Sequence, residues 1–368
     1  MNPALTHIHD TLATIKSEIQ MEIIGQDAMI DRLIITFFAG GHALLEGVPG
    51  LGKTKTIRTF ARVLGLDTGR VSFTPDLLPS DLTGNEIYRA TKGTFEIRKW
   101  PIFTNILLAD EINRTPPKVQ SALLEAMEEK KVTIWDKTLE LPSPFVVFAT
   151  QNPLEHEGTY PLPEAQLDRF LMKIVLTYPS PEDEKRIFMQ ETGSNSTDPI
   201  ATEDQWATPK KNTKKSTTEK IKIDDLLEMI DYITKSVRVD TKIYDYVSDI
   251  IWATRKLTKS EKNPPHSIKI PLTPFIKGEP NSESIYQGGN GNFPILSYGA
   301  STRAWLALIR AGRVRAVMAG RDYMLPEDVK SLAHEILDHR IGLSYESASE
   351  WITTYSVNEK ILDSVRIP

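Results

Sequence analysis

The most informative stretch of this 368-residue chain is Gly47-Val48-Pro49-Gly50-Leu51-Gly52-Lys53-Thr54. It matches the pattern G-x-x-x-x-G-K-[ST], with an apolar run at 43–45 before it and a helical pattern after it. Glycines let such a loop turn tightly, so that successive backbone N–H groups point at phosphate oxygens, and the helix N-terminus adds partial positive charge. We therefore predict that residues 47–54 bind a nucleotide, with Lys53 on its β- and γ-phosphates and Thr54 on Mg²⁺.

Working outward from this loop, short apolar runs alternate with helical patterns. The predicted strands are 43–46, 71–73, 106–109, 145–150 and 174–177, and the predicted helices are 5–20, 26–39, 53–64 and 117–129. Buried apolar strands interleaved with helices indicate a parallel sheet covered on both faces. The first 178 residues are thus predicted to form an α/β domain of the P-loop NTPase type. Segments 84–99 and 131–141 each read as a β-hairpin inserted into this alternation.

The composition changes after Tyr178. Residues 179–368 carry helical patterns at 221–257, 302–319 and 326–339, and they predict an all-α second domain. Two polar stretches, at about 193–219 and 258–297, interrupt it and are predicted to be insertions.

Two adjacent carboxylates, Asp110 and Glu111, follow the apolar run 106–109. A charge at the end of a buried strand needs a partner, and Mg²⁺ and a water molecule are natural ones. Asp110 is predicted to hold the metal and the nucleotide, and Glu111 to polarise the attacking water as a general base. The alternative is a solvated acidic turn, which the position about 55 residues after the phosphate loop disfavours.

Three further polar residues are weaker candidates. Asn152 follows the run 145–150 and is predicted to orient the water or sense the γ-phosphate, unless it is a plain turn residue before Pro153. Arg169 precedes a predicted strand and Arg303 begins a predicted helix. A planar guanidinium suits γ-phosphate oxygens, although ordinary ion pairing explains both arginines from spacing alone. Arg114 is a similar but weaker candidate.

Composition excludes several classes of protein. The chain has no cysteine, so disulfides, thiolate-bound zinc, iron–sulfur clusters and a cysteine nucleophile are excluded. Its net charge of -5 provides no global attraction for nucleic acid. The N-terminus lacks a secretory pattern, and the apolar stretch 33–45 is shorter than the roughly 20 residues that span a membrane. We predict a cytoplasmic protein that meets membranes only through a partner.

Taken together, these segments resemble the MoxR family of AAA+ ATPases, and the resemblance covers nearly the whole chain. The matching segments are IGQ at 24–26, GVPGLGKT at 47–54, FTPDLLPSDLTG at 73–84, PIFTNILLADEINRTPPKVQSALLEAMEE at 101–129, FATQNPLEHEGTYPLPEAQLDRF at 148–170, GASTRA at 299–304 and RDYMLPEDVKSLA at 321–333.

The resemblance implies a role for each candidate residue. Residues 47–54 become the Walker A loop, Asp110 and Glu111 the Walker B pair, and Asn152 sensor 1. Arg169 falls on the arginine finger, which acts on a neighbouring subunit's nucleotide, and Arg303 falls on sensor 2, acting in cis or in trans. The two hairpins correspond to the helix 2 insert and the pre-sensor 1 hairpin, and the C-terminal domain becomes a helical lid.

The resemblance also implies a mechanism. The chain is expected to hydrolyse ATP with Mg²⁺ in a homo-oligomeric ring, a hexamer, and to remodel or activate a protein partner, in this family often a von Willebrand factor A domain protein. The alternatives are a nucleotide-gated binding scaffold with negligible turnover and, less favoured, a nucleic-acid motor. The sequence departs from the family in its long insertions and in Trp100, which stands where glycine is common.

Overall fold

The structure of the protein is a computed structural model. It describes residues 3–89, 94–99, 101–153, 158–192, 221–258 and 294–368. Trp100 and nearly all of the two predicted polar insertions lie outside the described residues. No helix within those ranges is both long enough and apolar enough to cross a membrane.

The described chain contains fourteen α-helices and eleven strands. The helices are α1 (Pro3–Gln20), α2 (Asp27–Phe38), α3 (Lys53–Val63), α4 (Pro79–Thr83), α5 (Pro117–Glu129), α6 (Glu164–Leu167), α7 (Pro181–Thr192), α8 (Ile223–Ser236), α9 (Thr241–Lys256), α10 (Thr302–Met318), α11 (Pro326–Lys330), α12 (Ala333–Leu337), α13 (Tyr345–Ser349) and α14 (Thr354–Ser364). The strands are β1 (Ala43–Glu46), β2 (Thr68–Ser72), β3 (Gly84–Arg89), β4 (Thr94–Lys99), β5 (Ile106–Asp110), β6 (Lys131–Ile134), β7 (Lys137–Glu140), β8 (Val146–Gln151), β9 (Met172–Val175), β10 (Leu296–Tyr298) and β11 (Gly342–Leu343).

The central sheet has five parallel strands in the order β2-β5-β8-β1-β9. Alternate residues of β1 enter different cores: Ala43 and Leu45 pack with α1, α2 and α3, whereas Leu44 packs with α5. This alternation is the period-two geometry of a strand that is buried on both faces. The predicted parallel sheet with helices on both faces is confirmed.

The bounds of two strands were predicted wrongly. The strand predicted at 71–73 is Thr68–Ser72, because pairing with β5 extends it through polar residues that carry no apolar signal at this edge of the sheet. The strand predicted at 174–177 is Met172–Val175, because Met172 pairs with Ala43 in the ladder. Both strands lie at sheet edges, where burial constrains sequence least.

Both predicted hairpins are present. Strands β3 and β4 pair antiparallel, as do β6 and β7. Val132 and Ile134 of β6 are buried in the core that α5 shares with the sheet, and Lys137 faces Glu86 across the two hairpins at 3.8 Å. The hairpins therefore stand side by side on one side of the sheet.

The C-terminal part is a helical lid, as predicted, with one addition and two corrections. It is not all-α, because β10 and β11 pair in a short antiparallel ribbon. The helix predicted at 221–257 is α8 and α9, separated where the Asp240 carboxylate caps the second helix by accepting from the Lys242 N–H. The helix predicted at 326–339 is α11 and α12, interrupted where the Ser331 hydroxyl donates to the Asp328 carbonyl.

The lid packs against the N-terminal helices. Residues of α8, α9, α10 and α12 share one continuous apolar core with α1 and α2. Arg32 of α2 donates to Glu335 of α12 at 2.7 Å, and His9 of α1 lies 2.9 Å from the Val317 carbonyl. These contacts fix the position of the lid, and therefore the positions of its polar side chains, relative to the central sheet. One apolar core therefore includes residues on both sides of the predicted domain boundary at residue 178, and that boundary stays a prediction.

Candidate nucleotide site

The phosphate loop joins the end of β1 to the start of α3. Gly50 and Gly52 have φ angles of 88° and 76°, in the left-handed region that glycine adopts without steric cost. The Lys53 ammonium group donates to the Gly47 carbonyl at 2.6 Å. Burial lowers the pKa of Lys53, while the carboxylates of Asp110 and Glu111 oppose this shift. The lysine is thus held inside its own loop, facing the acidic pair.

Asp110 is the last residue of β5, the second strand from β1, and Glu111 directly follows it. One oxygen of Asp110 accepts from the Thr150 hydroxyl at 2.7 Å, and the other accepts from Arg70 at 2.6 Å. Glu111 has a φ of 57°, a left-handed conformation that is uncommon outside glycine and concentrates at functional sites. Its carboxylate lies 3.0 Å from Arg114, so the weaker candidate Arg114 is an ion-pair partner of Glu111.

Thr150 is a site residue that the sequence analysis missed. Its hydroxyl donates to Asp110 and at the same time accepts from the Glu111 N–H at 2.9 Å. A threonine in an apolar strand looks like an ordinary β-branched residue, so only its place beside Asn152 could have drawn attention to it. The hydroxyl fixes both the Asp110 carboxylate and the strained Glu111 backbone.

Thr150→Val is expected to lower the rate of any nucleotide hydrolysis about tenfold or more, while nucleotide affinity stays within a few-fold. Valine keeps the shape but leaves the Glu111 N–H unpaired, a cost of about 1–3 kcal/mol that relaxation of this backbone would relieve. Phosphate release and equilibrium nucleotide binding, measured in parallel, test this expectation. Thr150→Ser is the matched control because it keeps the hydroxyl, and an equal loss in Thr150→Ser would contradict the assignment.

The predicted residues at the carboxyl ends of the strands come together around one cavity of about 420 Å³. Its walls are Pro49–Lys55 of the loop, the pair Asp110 and Glu111, and Thr150–Asn152 at the end of β8. Asn152 is buried at its rim. The loop, the carboxylates and the amide therefore form one site, as their positions after parallel strands predicted.

A second cavity of about 430 Å³ adjoins the other side of the loop. Apolar side chains line much of it, including Ile23, Ile24, Leu51, Tyr178 and Phe188. An apolar cleft with polar groups at its rim is the usual environment for a planar aromatic ligand. Together the two cavities offer an apolar site for a base and a polar site for phosphates.

The two remaining arginines lie elsewhere. Arg169 and Arg303 both contact the carboxylate of Glu128, at 3.1 and 2.5 Å. With Glu128 they line a cavity of about 310 Å³ beside Gly41 and His42, at the start of β1, whereas the phosphate loop follows its end. The structure thus brings Arg169 and Arg303 together, and neither is among the residues that line the phosphate cavity.

A phosphate loop, a carboxylate pair at the end of the second strand from it and a helical lid define a P-loop ATPase of the AAA class. Residues 42–172 match the ATPase family associated with various cellular activities (AAA), and residues 294–361 match the AAA lid domain.

Whole-chain relatives narrow this class. The chain is 39% identical over 351 residues to the chaperone MoxR1 of Mycobacterium tuberculosis, an alignment that spans 95% of this chain and 81% of that protein. It is 30% identical over 344 residues to the protein MoxR of Methylorubrum extorquens, spanning 92% and 90%. A crystal structure of a candidate ATPase from Cytophaga hutchinsonii is 41% identical, with a TM-score of 0.80 over 99% of this chain and 97% of that one. The chain belongs to the MoxR family of AAA+ ATPases.

Proposed function

We propose that this protein hydrolyses ATP with Mg²⁺ in a homo-oligomeric ring and uses the energy to remodel or activate a partner protein. One observation carries the ring: the phosphate cavity and the Arg169–Arg303 pair lie at opposite ends of β1 in the same chain. A site built from both needs two copies of the chain. Contacts between unlike surfaces of identical subunits close into rings when the rotation allows it, and the family resemblance supports a hexamer.

The phosphate loop binds the nucleotide in this proposal. Backbone N–H groups of residues 47–54 and the Lys53 ammonium surround the phosphates, with phosphate oxygens replacing the Gly47 carbonyl as the partner of Lys53. The apolar cavity beside Ile24 and Tyr178 accommodates the adenine.

The donor set beside the loop fits Mg²⁺. Asp110 supplies a carboxylate held by Thr150 and Arg70, and Thr54 supplies a hydroxyl at the start of α3, both on the wall of the phosphate cavity. Hard oxygen ligands of this kind suit Mg²⁺, so Asp110 and Thr54 are the residues that would hold it. When bound, the metal neutralises phosphate charge and polarises the transferred group.

Glu111 and Asn152 prepare the water. The Glu111 carboxylate is the general base, and Thr150 holds its backbone in position through the Glu111 N–H. Asn152, at the end of β8 and on the same cavity wall, orients the water or senses the γ-phosphate. Arg114 lies 3.0 Å from the Glu111 carboxylate and forms an ion pair with it at the edge of the site.

Arg169 and Arg303 act on the nucleotide of a neighbouring subunit. Their shared partner Glu128 holds both guanidinium groups at the edge of the chain remote from its own phosphate loop. A guanidinium that reaches the γ-phosphate in the transition state stabilises the charge that develops there. The contact of both arginines with Glu128 supports a trans role for Arg303 as well as for Arg169.

The partner is proposed from the family. The name of the Mycobacterium tuberculosis relative, a chaperone, supports a protein client, and a von Willebrand factor A domain protein is our preferred candidate. The adjacent hairpins β3–β4 and β6–β7 are the proposed client-facing elements. A cytoplasmic location and the absence of nucleic-acid binding stay predictions.

Mass in solution tests the proposal. Glu111→Gln should trap the ATP-bound state, and adding ATP should shift its mass towards about six subunits, the ring size that the family resemblance implies. Lys53→Ala with ATP is the control and should not shift. A monomer or dimer under all conditions would contradict the ring and favour the nucleotide-gated scaffold.

A further inference from the structure

A buried arginine joins the lid to the segment that carries Arg169. Arg340 follows α12, and its side chain is 2% exposed. Its Nε donates to the Asp168 carboxylate at 2.9 Å, and one terminal nitrogen donates to the carbonyls of Leu171 and Ile336 at 3.1 and 2.5 Å. The other terminal nitrogen donates to the carbonyls of Asp168, at 3.1 Å, and Phe170. Every nitrogen of the guanidinium is engaged.

The acceptors of these hydrogen bonds include the residues directly before and after Arg169 in the sequence. Three of the carbonyls belong to residues 168, 170 and 171, which form the turn between α6 and β9. The carbonyl on each side of Arg169 is therefore anchored to one rigid planar group, which fixes the direction in which the Arg169 side chain leaves the backbone.

The same carboxylate also reaches the start of α10. Asp168 accepts from the Ser301 hydroxyl at 3.0 Å, and Arg303 lies 3.6 Å from its other oxygen. Ser301 caps α10 by accepting from the Arg303 N–H at 3.1 Å. Asp168 is thus the common partner of Arg340, Ser301 and Arg303, and it ties the position of Arg303 to that of Arg169.

We infer that Arg340 and Asp168 are a positioning pair that holds Arg169 and Arg303 as one unit, so that the lid of each subunit sets the geometry of the arginines offered to its neighbour. This inference rests on the proposed trans role of those arginines. Arg340 touches no reacting group and acts through the 168–171 turn. Movement of the lid in one subunit would then be transmitted to the nucleotide site of the next.

The planar shape of the guanidinium group explains why residue 340 is an arginine. Five N–H donors in fixed directions match one carboxylate and several carbonyls, whereas a lysine offers three donors on one point charge. Burial lowers the pKa of Arg340 to about 10 and Asp168 opposes the shift, so the group is charged at neutral pH. Arg340→Lys keeps the charge and releases the turn.

Arg340→Lys is expected to bind ATP with wild-type affinity and to lose turnover by roughly 10²-fold, the cost of misplacing a catalytic group by about 1 Å. Mixing it with Lys53→Ala should restore activity, because Lys53→Ala subunits offer intact arginines to the intact phosphate loops of Arg340→Lys. Mixing it with Arg169→Ala should restore nothing, because both fail on the same side of the interface. Loss of stability alone would not produce this direction dependence.

Arg321→Lys is the matched control. Arg321 makes two charged hydrogen bonds to Asp328 in the lid, at 2.8 and 2.6 Å, and lies outside the Glu128–Asp168 network. Its turnover should stay within a few-fold of wild type. If Arg340→Lys lowers the melting temperature below the assay range, Asp168→Asn is the second variant, and the same mixing pattern is expected.

Three outcomes separate the possibilities. Wild-type turnover in Arg340→Lys, with Arg169→Ala inactive, would overturn the positioning role. A loss in Arg340→Lys that Lys53→Ala subunits do not rescue, in rings shown to be mixed, would assign Arg340 to lid stability alone and also overturn it. Full turnover in Arg169→Ala would instead overturn the proposed function on which the inference rests.

Discussion

Glu111→Gln is expected to bind ATP with near wild-type affinity and to lose hydrolysis by about 10²–10⁴-fold, the usual contribution of a positioned general base. The amide keeps the size of the side chain and cannot accept the proton of the attacking water. The backbone of Glu111 is held by Thr150, so the replacement should leave the site's shape intact. Phosphate release under saturating ATP, beside equilibrium binding of a fluorescent nucleotide, measures both quantities.

Two further variants sharpen this comparison. Lys53→Ala should lose nucleotide binding as well as turnover, because it removes the cation that lies inside the loop. Glu140→Gln removes another carboxylate at the end of a strand, paired with Lys131 at the base of the β6–β7 hairpin, and should leave both quantities unchanged. Slow wild-type turnover that Glu111→Gln does not alter would contradict the general base and support the nucleotide-gated scaffold.

The carboxyl edge of the sheet was predictable from sequence. The phosphate loop, Asp110 and Asn152 each follow an apolar run, and the carboxyl ends of parallel strands lie at one edge of the sheet. Their meeting in one cavity therefore follows from the topology. The continuous apolar run of β1, which is buried on both faces, similarly required helices on both sides of the sheet. Strong local patterns here agreed with the tertiary structure.

The position of Arg303 was not predictable in the same way. It depends on how the lid packs against α1 and α2, contacts such as Arg32 with Glu335 that join residues about three hundred positions apart. No local pattern contains that information, and the sequence therefore left cis and trans roles open. Arg340 escaped notice for a related reason, because a lone arginine after a short helix reads as a surface residue until its burial is known.

Thr150 and Arg70 illustrate a third limit. Both contact the Asp110 carboxylate, yet one lies in a run of apolar strand residues and the other in an edge strand whose start the apolar pattern missed. A residue can orient a catalytic group through a single hydrogen bond. A single hydrogen bond produces no hydrophobic periodicity by which the residue could be recognised in the sequence. Such partners are found from geometry.

Arg169→Ala is expected to bind ATP normally and to lose turnover by about 10³–10⁵-fold, the range that an arginine supplied to a phosphoryl transition state contributes. The guanidinium lies beside Glu128, away from its own phosphate cavity, so removing it should not disturb nucleotide binding in the same chain. Nucleotide affinity and single-turnover hydrolysis measure the two effects separately.

Mixing identifies where Arg169 acts. Arg169→Ala subunits keep an intact phosphate loop and Lys53→Ala subunits keep an intact arginine, so their shared interfaces should recover activity that neither variant has alone. Arg186→Ala is the matched control, an exposed arginine of α7 that pairs with Asp183 in its own helix, and it should retain wild-type turnover. Recovery that rises and falls with the mixing ratio would locate the active site between subunits. If mixed rings form and stay inactive at every ratio, Arg169 does not act in trans, and the separation of the two edges of the chain would need another explanation.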